Sequence, residues 1–270
     1  MRGLIMIVGA SDTGKSTLAR LLVDRLNGKV AHLDGDPGQS NLGPPTTLTL
    51  ELKSPEQAPQ RWRTFVGAIS PTGHMLPLVS AAVRLVRKAR DSGAETIVYD
   101  TTGLVDPNRG GFYLKLAKID LLEPDVLIAF QRVAELEPLL RPLRKSARVQ
   151  LVELPVSPHA RIRERLERRR HRAQSFARYF ADAKPTRLRW SRYAVFPTPD
   201  FHLHQLLALE NQTGFLEGLA IILEIDRIHR ELLLLTPLEA FQNVDAVRLA
   251  ALQVSPDTFE DRTLSLHPWR

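Results

Sequence analysis

Residues Gly9 to Ser16, GASDTGKS, fit the spacing GxxxxGK[ST], a pattern whose chemistry is phosphate binding. Its glycines let a loop curl until successive backbone N–H groups point at phosphate oxygens, and the helix that follows adds its positive end. Gly9, Ala10, Ser11, Asp12, Thr13, Gly14, Lys15, Ser16 and Thr17 are the candidate nucleotide-binding residues. In that arrangement Lys15 reaches the β- and γ-phosphates and the Ser16 hydroxyl ligates Mg²⁺. The pattern implies binding of a nucleoside triphosphate. No NKxD-type segment follows the late apolar run LIAFQRVAE, so nothing selects guanine and ATP is the expected nucleotide.

Carboxylates supply the second kind of chemistry. HLDGDPGQSN, residues 32–41, carries Asp34 and Asp36 just beyond an apolar stretch. Loops at the carboxyl ends of parallel strands line the ligand crevice, so this turn should face the phosphates. Two roles suit an acid there: ligating Mg²⁺ directly or through water, and accepting a proton from an attacking hydroxyl. Local capping of the turn ahead of Pro-Gly is the bland alternative. TIVYDTTGLV has the same form, apolar then acidic, with Asp100 as a metal ligand through water. Ser16, Asp36 and Asp100 form the candidate metal set. Thr101 and Thr102 hydrogen-bond phosphate or shape the turn at Gly103. In SPTGHML, His74 stands at a helix start, as a cap or a substrate-side hydrogen-bonding group.

The elements that must position these groups alternate. LIMIV, KVAHL, RTFVGAI, TIVYD, DVLIAF and VQLVEL read as strands, and STLARLLVDRL, LPLVSAAVRLVRKARDSG, FYLKLAKIDLL and AELEPLLRPLRKS as helices. Alternation of this kind implies parallel βαβ units, hence an α/β fold of the P-loop NTPase type: a three-layer α/β/α, mostly parallel sheet. Residues 44–60, rich in turn formers, are expected to be a loop or irregular insertion. After about residue 185 the short runs YAVF, LLALEN, GLAIILEID and ELLLLTPL suggest antiparallel strands. The expected division is therefore a domain over 1–185 and a small β-rich C-terminal region over 186–270.

Composition excludes several classes. The 270-residue chain has no cysteine, so disulfides, thiolate zinc sites and cysteine nucleophiles are ruled out. No run approaches the roughly 18 apolar residues of a membrane span, and the apolar start is too short for a signal peptide; a soluble, cytoplasmic protein is expected. A net charge of +7, with arginine far outnumbering lysine, suggests a polyanionic partner. That charge concentrates in HARIRERLERRRHRAQSFARYF, residues 159–180. Arg165, Arg168, Arg169 and Arg172 fall at i, i+3, i+4 and i+7 and share one helical face, continued by Phe176 and Tyr179. Like charges this dense repel one another until an anion arrives, which suggests a mobile lid over the triphosphate and its acceptor.

Taken together, GASDTGKST, DGDPGQSN, GAISPTGH, TTGLV and the arginine-rich segment ending ARYF resemble the polynucleotide 5'-hydroxyl kinases. That family includes the RNA 5'-kinase of the mRNA cleavage and polyadenylation machinery and a ribosomal RNA processing kinase. The resemblance implies phosphorylation, dependent on ATP and Mg²⁺, of the 5'-hydroxyl end of RNA or DNA. Under it Asp36 matches the acid that activates the hydroxyl and Gln39 a glutamine that helps organise the site. Arg169 and Arg172 match lid arginines that neutralise the phosphoryl group in flight, with Arg165 and Arg168 on the substrate side. Two departures stand out. Leu104 replaces the family's tryptophan, removing an aromatic platform for a terminal base, an interaction worth about 1 to 3 kcal/mol. The expected form is also minimal, lacking the N-terminal domain of larger relatives. The competing readings are a nucleotide-switched assembly or maturation factor and an ATP-holding, nucleic-acid-binding subunit that transfers no phosphate.

Overall fold

The run Leu4–Val8 is apolar without interruption and rich in β-branched residues, as a strand covered on both faces requires, and all five residues are buried. In the computed structural model, which describes residues 2–264, this run is the centre of a seven-stranded sheet. Its strands are β1 (Gly3–Gly9), β2 (Val30–Gly35), β3 (Thr47–Ser54), β4 (Gln57–Phe65), β5 (Thr96–Thr101), β6 (Val126–Gln131) and β7 (Gln150–Pro155), in the order β4-β3-β2-β5-β1-β6-β7. The pairs β2–β5, β5–β1, β1–β6 and β6–β7 are parallel, and β2–β3 is antiparallel. The helices are α1 (Lys15–Arg25), α2 (Met75–Asp91), α3 (Gly111–Leu122) and α4 (Glu137–Leu143). Ile5, Ile7, Val98 and Ile128 pack with Ala19 and Val23 of α1. Tyr99, on the alternate face of β5, lies under Lys118 of α3. This is the expected three-layer arrangement, and it places the carboxyl ends of β1, β2 and β5 side by side.

Residues 44–60 are not a loop. Thr47–Leu52 are buried and form β3, and Pro55 and Glu56 connect it to β4. Proline punctuation misleads here because β4 is an edge strand whose first residues are exposed; a proline such as Pro59 costs no ladder hydrogen bond at an edge. The strand read as RTFVGAI correspondingly ends at Phe65, and α4 is shorter than the helical stretch AELEPLLRPLRKS.

The chain forms two compact units: residues 1–43, 48–63 and 70–163, and residues 44–47, 64–69 and 164–270. The second contains α5 (Arg165–Tyr179), β8 (Lys184–Arg189), β9 (Ala194–Phe196), β10 (Gln205–Glu210), β11 (Leu216–Asp226), β12 (Glu231–Thr236), β13 (Ala246–Val254) and β14 (Asp261–Thr263). Its sheet runs β14-β13-β10-β11-β12-β8 in antiparallel pairs, with β9 parallel beside β13. Alternation along β10 divides its core: Leu206 and Ala208 face a cluster holding Phe176 and Phe180, while Leu207 and Leu209 face Phe201, Leu232 and Val247. β8, β13 and β14 were not anticipated, and α5, read from sequence as part of the first domain, is counted with this unit.

Candidate active site

The phosphate loop joins β1 to α1, and its backbone explains its residues. Gly14, with φ of 96°, caps α1 in the left-handed region that glycine enters without steric cost. Asp12 also has positive φ, 58°. The carbonyl of Ala10 accepts from Thr13 Oγ1 at 2.9 Å and from Lys15 Nζ at 2.6 Å. Lys15 is thus folded over its own loop and buried, and burial lowers its pKa against the pull of Asp100 and Asp36. Two arginines that sequence reading passed over hold the loop from outside. Arg163 donates to the Asp12 carboxylate from its backbone N (3.0 Å) and Nε (2.9 Å), and Arg132 donates to the Asp12 carbonyl at 2.5 Å. Arg163 lies in the arginine-rich stretch 159–180 and Arg132 in the run LIAFQRVAE, but nothing in the local sequence singles out either position.

The acids are set by strand register. Asp34 lies opposite Asp100 across β2–β5, and Ile7 lies opposite Asp100 across β1–β5, which brings phosphate loop and carboxylates to one edge. Asp34 and Asp36 then part company. Asp34 is buried and accepts from Ser40 Oγ (3.0 Å) and from the backbone N–H groups of Asn41 (2.6 Å) and Leu42 (3.1 Å). Its role is to close the turn. Asp36 Oδ1 accepts from the N–H groups of Gly38 (2.9 Å) and Gln39 (3.1 Å), and Oδ2 has no hydrogen bond among the described residues. Gln39 donates from Nε2 to Gly38 O at 2.6 Å. Gly35, between the two acids, leaves no room for a Cβ, which would fall on the Tyr99 ring.

Asp100 is buried with Oδ1 unpartnered among the described residues. Burial, then the charge of Asp34, pushes its carboxyl up to about 7, against the pull of Lys15 and a side-chain bond from Ser16. An orphaned buried carboxylate oxygen next to a serine hydroxyl is the donor chemistry of a hard cation that keeps most of its waters. Ser16 and Asp100 therefore fit Mg²⁺; among the described residues no group of three or more His, Cys, Asp or Glu forms a closed metal cage.

The turn after β5 completes the cluster. A Cβ on Gly103 would fall on Ser11 Oγ and within 2.6 Å of the Ser11 backbone nitrogen, so this turn packs directly on the phosphate loop. Thr101 Oγ1 donates to Ile7 O at 2.7 Å. From α3, Lys115 donates to Thr101 Oγ1 (2.7 Å), Thr102 O (2.5 Å) and Thr102 Oγ1 (3.4 Å). Lys118, one turn further on, is 4.9 Å from the Tyr99 ring centroid and makes no hydrogen bond among the described residues. Both lysines are 0% exposed, and burial lowers both pKa values, that of Lys118 to about 7. His74 is the N-cap of α2 but makes no side-chain cap bond; its Nδ1 lies 3.3 Å from Thr72 O.

Within the first unit, then, Gly9–Thr17, Asp36, Gln39, Asp100 and Thr101–Gly103 form one cluster. The four helix arginines belong to the second unit, where Glu164 and Glu167 make a capping box for α5. Arg169 donates to Glu260 at 2.8 Å, with both side chains about half exposed. Arg172 makes a two-pronged bond to Asp261, from Nε (2.8 Å) and from its second terminal nitrogen (3.1 Å), with the side chains 14% and 5% exposed. Tyr179 Oη accepts from Leu219 N at 2.8 Å, anchoring the helix end.

A strand, a glycine-rich phosphate loop and a helix at the edge of a parallel sheet, with acids on the neighbouring strands, define a P-loop α/β protein. Residues 9–182 match the model of the mRNA cleavage and polyadenylation factor CLP1 P-loop family, and the chain belongs to that family. It is 31% identical over 224 residues to a polyribonucleotide 5'-hydroxyl-kinase of Methanocaldococcus jannaschii, covering 80% of this chain and 60% of that protein. A similarly named protein of Thermococcus kodakarensis is 33% identical over 216 residues, with 77% and 60% covered. For one from Pyrococcus furiosus the values are 32% over 188 residues, 67% and 51%. The chain thus spans about half to three fifths of the length of these curated relatives. Clp1p in a Clp1p–Pcf11p complex shares the fold, with a TM-score of 0.70 at 14% identity over 93% of this chain and 74% of Clp1p. No helix among the described residues is long and apolar enough to cross a membrane.

Proposed function

We propose that this protein transfers the γ-phosphate of ATP to the 5'-hydroxyl end of RNA or DNA. The observation that carries the reading is the division of labour between the two acids of the DGDPGQ turn. Asp34 is consumed by four atoms of the turn, whereas Asp36 is fixed through Oδ1 and keeps Oδ2 open to accept a proton. The names of the archaeal relatives support the same reaction.

The loop amides and Lys15 hold the triphosphate, and Arg163 and Arg132 keep the loop in shape through Asp12. Ser16 and Asp100 would hold Mg²⁺; bound there, the ion would neutralise phosphate charge during transfer. Asp36 takes the proton of the attacking hydroxyl. Gln39 and the Thr101–Thr102–Gly103 turn orient the acceptor. Little covalent work falls to the protein, so positioning and electrostatics carry the rate. The test is transfer of labelled γ-phosphate to 5'-hydroxyl oligonucleotides. Label on a 5'-hydroxyl end and none on a 5'-phosphorylated control is the expected result; hydrolysis without transfer to either would overturn the reading.

Two observations favour a second reading. The solved Clp1p neighbours are partners in complexes with Pcf11p, and Leu104 leaves no aromatic side chain at that position of the turn. A nucleotide-bound assembly subunit would show tight ATP binding with no dependence on a nucleic-acid acceptor.

A further inference from the structure

Lys115 is an unusual residue for its surroundings. It is 0% exposed in the middle of the apolar face of α3, between Leu114 and Ile119, where a leucine or methionine would fill the space without desolvating an amine. Burying an ammonium is costly unless its donors are satisfied. None of its hydrogen-bond partners is a carboxylate. All three bonds go to one place, the last residue of β5 and the first of the turn after it: Thr101 Oγ1, Thr102 O and Thr102 Oγ1. An ammonium has three donors, so its whole hydrogen-bonding capacity is spent on that turn.

The turn in question is the one that packs on the phosphate loop. Thr101 Oγ1 passes the connection on to Ile7 O in β1, two residues before the loop begins, and Gly103 abuts Ser11 within the loop. Lys115 therefore ties α3 to the point where the β1 and β5 ends meet. Packing alone does not need this. Lys118, equally buried on the same face, stands over the Tyr99 ring and has no hydrogen bond among the described residues.

We propose that Lys115 is a positioning residue for the acceptor: by clamping the Thr101–Thr102 turn from below, it fixes where the incoming 5'-hydroxyl end sits relative to the phosphate loop and Asp36. The inference rests on the kinase reading above. Its consequence is selective. The loop that grips the triphosphate is shaped by Ala10, Gly14 and Asp12 with its two arginines, none of which Lys115 touches, so losing the clamp should loosen the acceptor and leave the nucleotide.

The experiment compares wild type, Lys115→Met, Thr101→Val and the double variant in steady-state transfer to a 5'-hydroxyl oligonucleotide, with ATP affinity measured by calorimetry. Thr101→Val removes the acceptor oxygen of the clamp with almost no change of shape, which keeps the test available should the lysine variant fold poorly. Each single variant is expected to raise the acceptor KM, or lower kcat/KM for the acceptor, roughly tenfold to a hundredfold, with ATP affinity changed by less than about twofold. The double variant should be less than additive, because both single variants break the Lys115–Thr101 bond. Lys118→Met, which removes a buried amine without touching the turn, should leave the acceptor KM near wild type. Wild-type acceptor kinetics in Lys115→Met would overturn the inference, and so would parallel losses of ATP affinity and acceptor binding. If the wild-type protein itself phosphorylates no 5'-hydroxyl end, the kinase reading fails first and this inference falls with it, an outcome visible without any variant.

Discussion

Lys118 gives the sharpest thermodynamic prediction, because its amine is fully buried over the Tyr99 ring and makes no hydrogen bond among the described residues. Desolvation lowers its pKa from the ordinary 10.5 to about 7. A lowered folded-state value means that the unfolded chain binds the proton more tightly. The group therefore costs nothing above about pH 10.5 and destabilises the fold increasingly as pH falls toward about 7, below which the cost is constant. At about 1.36 kcal/mol per pH unit, the penalty is on the order of 4 kcal/mol at pH 7 and about half that at pH 9. Methionine fills similar volume with no charge to desolvate, and replacing a poorly compensated buried charge by an apolar side chain is commonly stabilising. Lost attraction between the ammonium and the Tyr99 ring returns about 1 kcal/mol. Urea unfolding of wild type and Lys118→Met between pH 6 and 9.5 should show the variant more stable at neutral pH, its advantage shrinking by about 2 kcal/mol between pH 7 and 9. A stability difference that does not change over that interval, or a variant less stable throughout, would refute the argument that the amine is buried and poorly solvated.

Two further outcomes follow from close contacts. Gly103→Ala drives a methyl group onto Ser11 Oγ and close to the Ser11 backbone, so the phosphate loop must shift; ATP affinity should fall about tenfold or more, at a stability cost of about 1 to 3 kcal/mol, read by calorimetry and thermal unfolding. Arg172→Met leaves Asp261 buried and unpaired, which should cost about 3 to 5 kcal/mol of stability, whereas Arg169→Ala breaks a half-exposed pair with Glu260 and should cost less than about 1 kcal/mol. Equal effects of the two arginine variants in urea unfolding would show that the burial of the Arg172–Asp261 pair is not what makes it matter.

What the sequence made legible and what it did not divide along one physical line. Phosphate binding is encoded in nine consecutive residues, Gly9–Thr17, because the loop that cradles the phosphate and the helix that points at it are contiguous, and the alternation of apolar runs with helical periods carried the parallel sheet. Asp34 and Asp36 were visible as a pair, but their separation into a turn-closing acid and an open one depends on where the 38–42 backbone folds back, which spacing alone does not determine. Lys115 and Lys118 were invisible for a related reason. A lysine in an amphipathic helix normally reads as solvated, and only the position of Tyr99 and the β5 turn beneath α3 makes these two interior. Arg172 likewise reads as a cation awaiting an anion until Asp261, 89 residues later, is brought beside it by the second sheet. The β3–β4 strands were hidden by prolines that an edge position tolerates.

The central claim is that Asp36 accepts the proton of a 5'-hydroxyl. Asp36→Asn preserves the shape of the turn, since an amide oxygen can still accept from the Gly38 and Gln39 N–H groups, while abolishing the base. The measurement is γ-phosphate transfer from ATP to a 5'-hydroxyl RNA oligonucleotide and its DNA counterpart, alongside ATP affinity, for wild type and Asp36→Asn. The account predicts transfer by the wild type, a loss of about a hundredfold or more in the variant, and ATP affinity within a few-fold of wild type. Transfer by Asp36→Asn at the wild-type rate would contradict it.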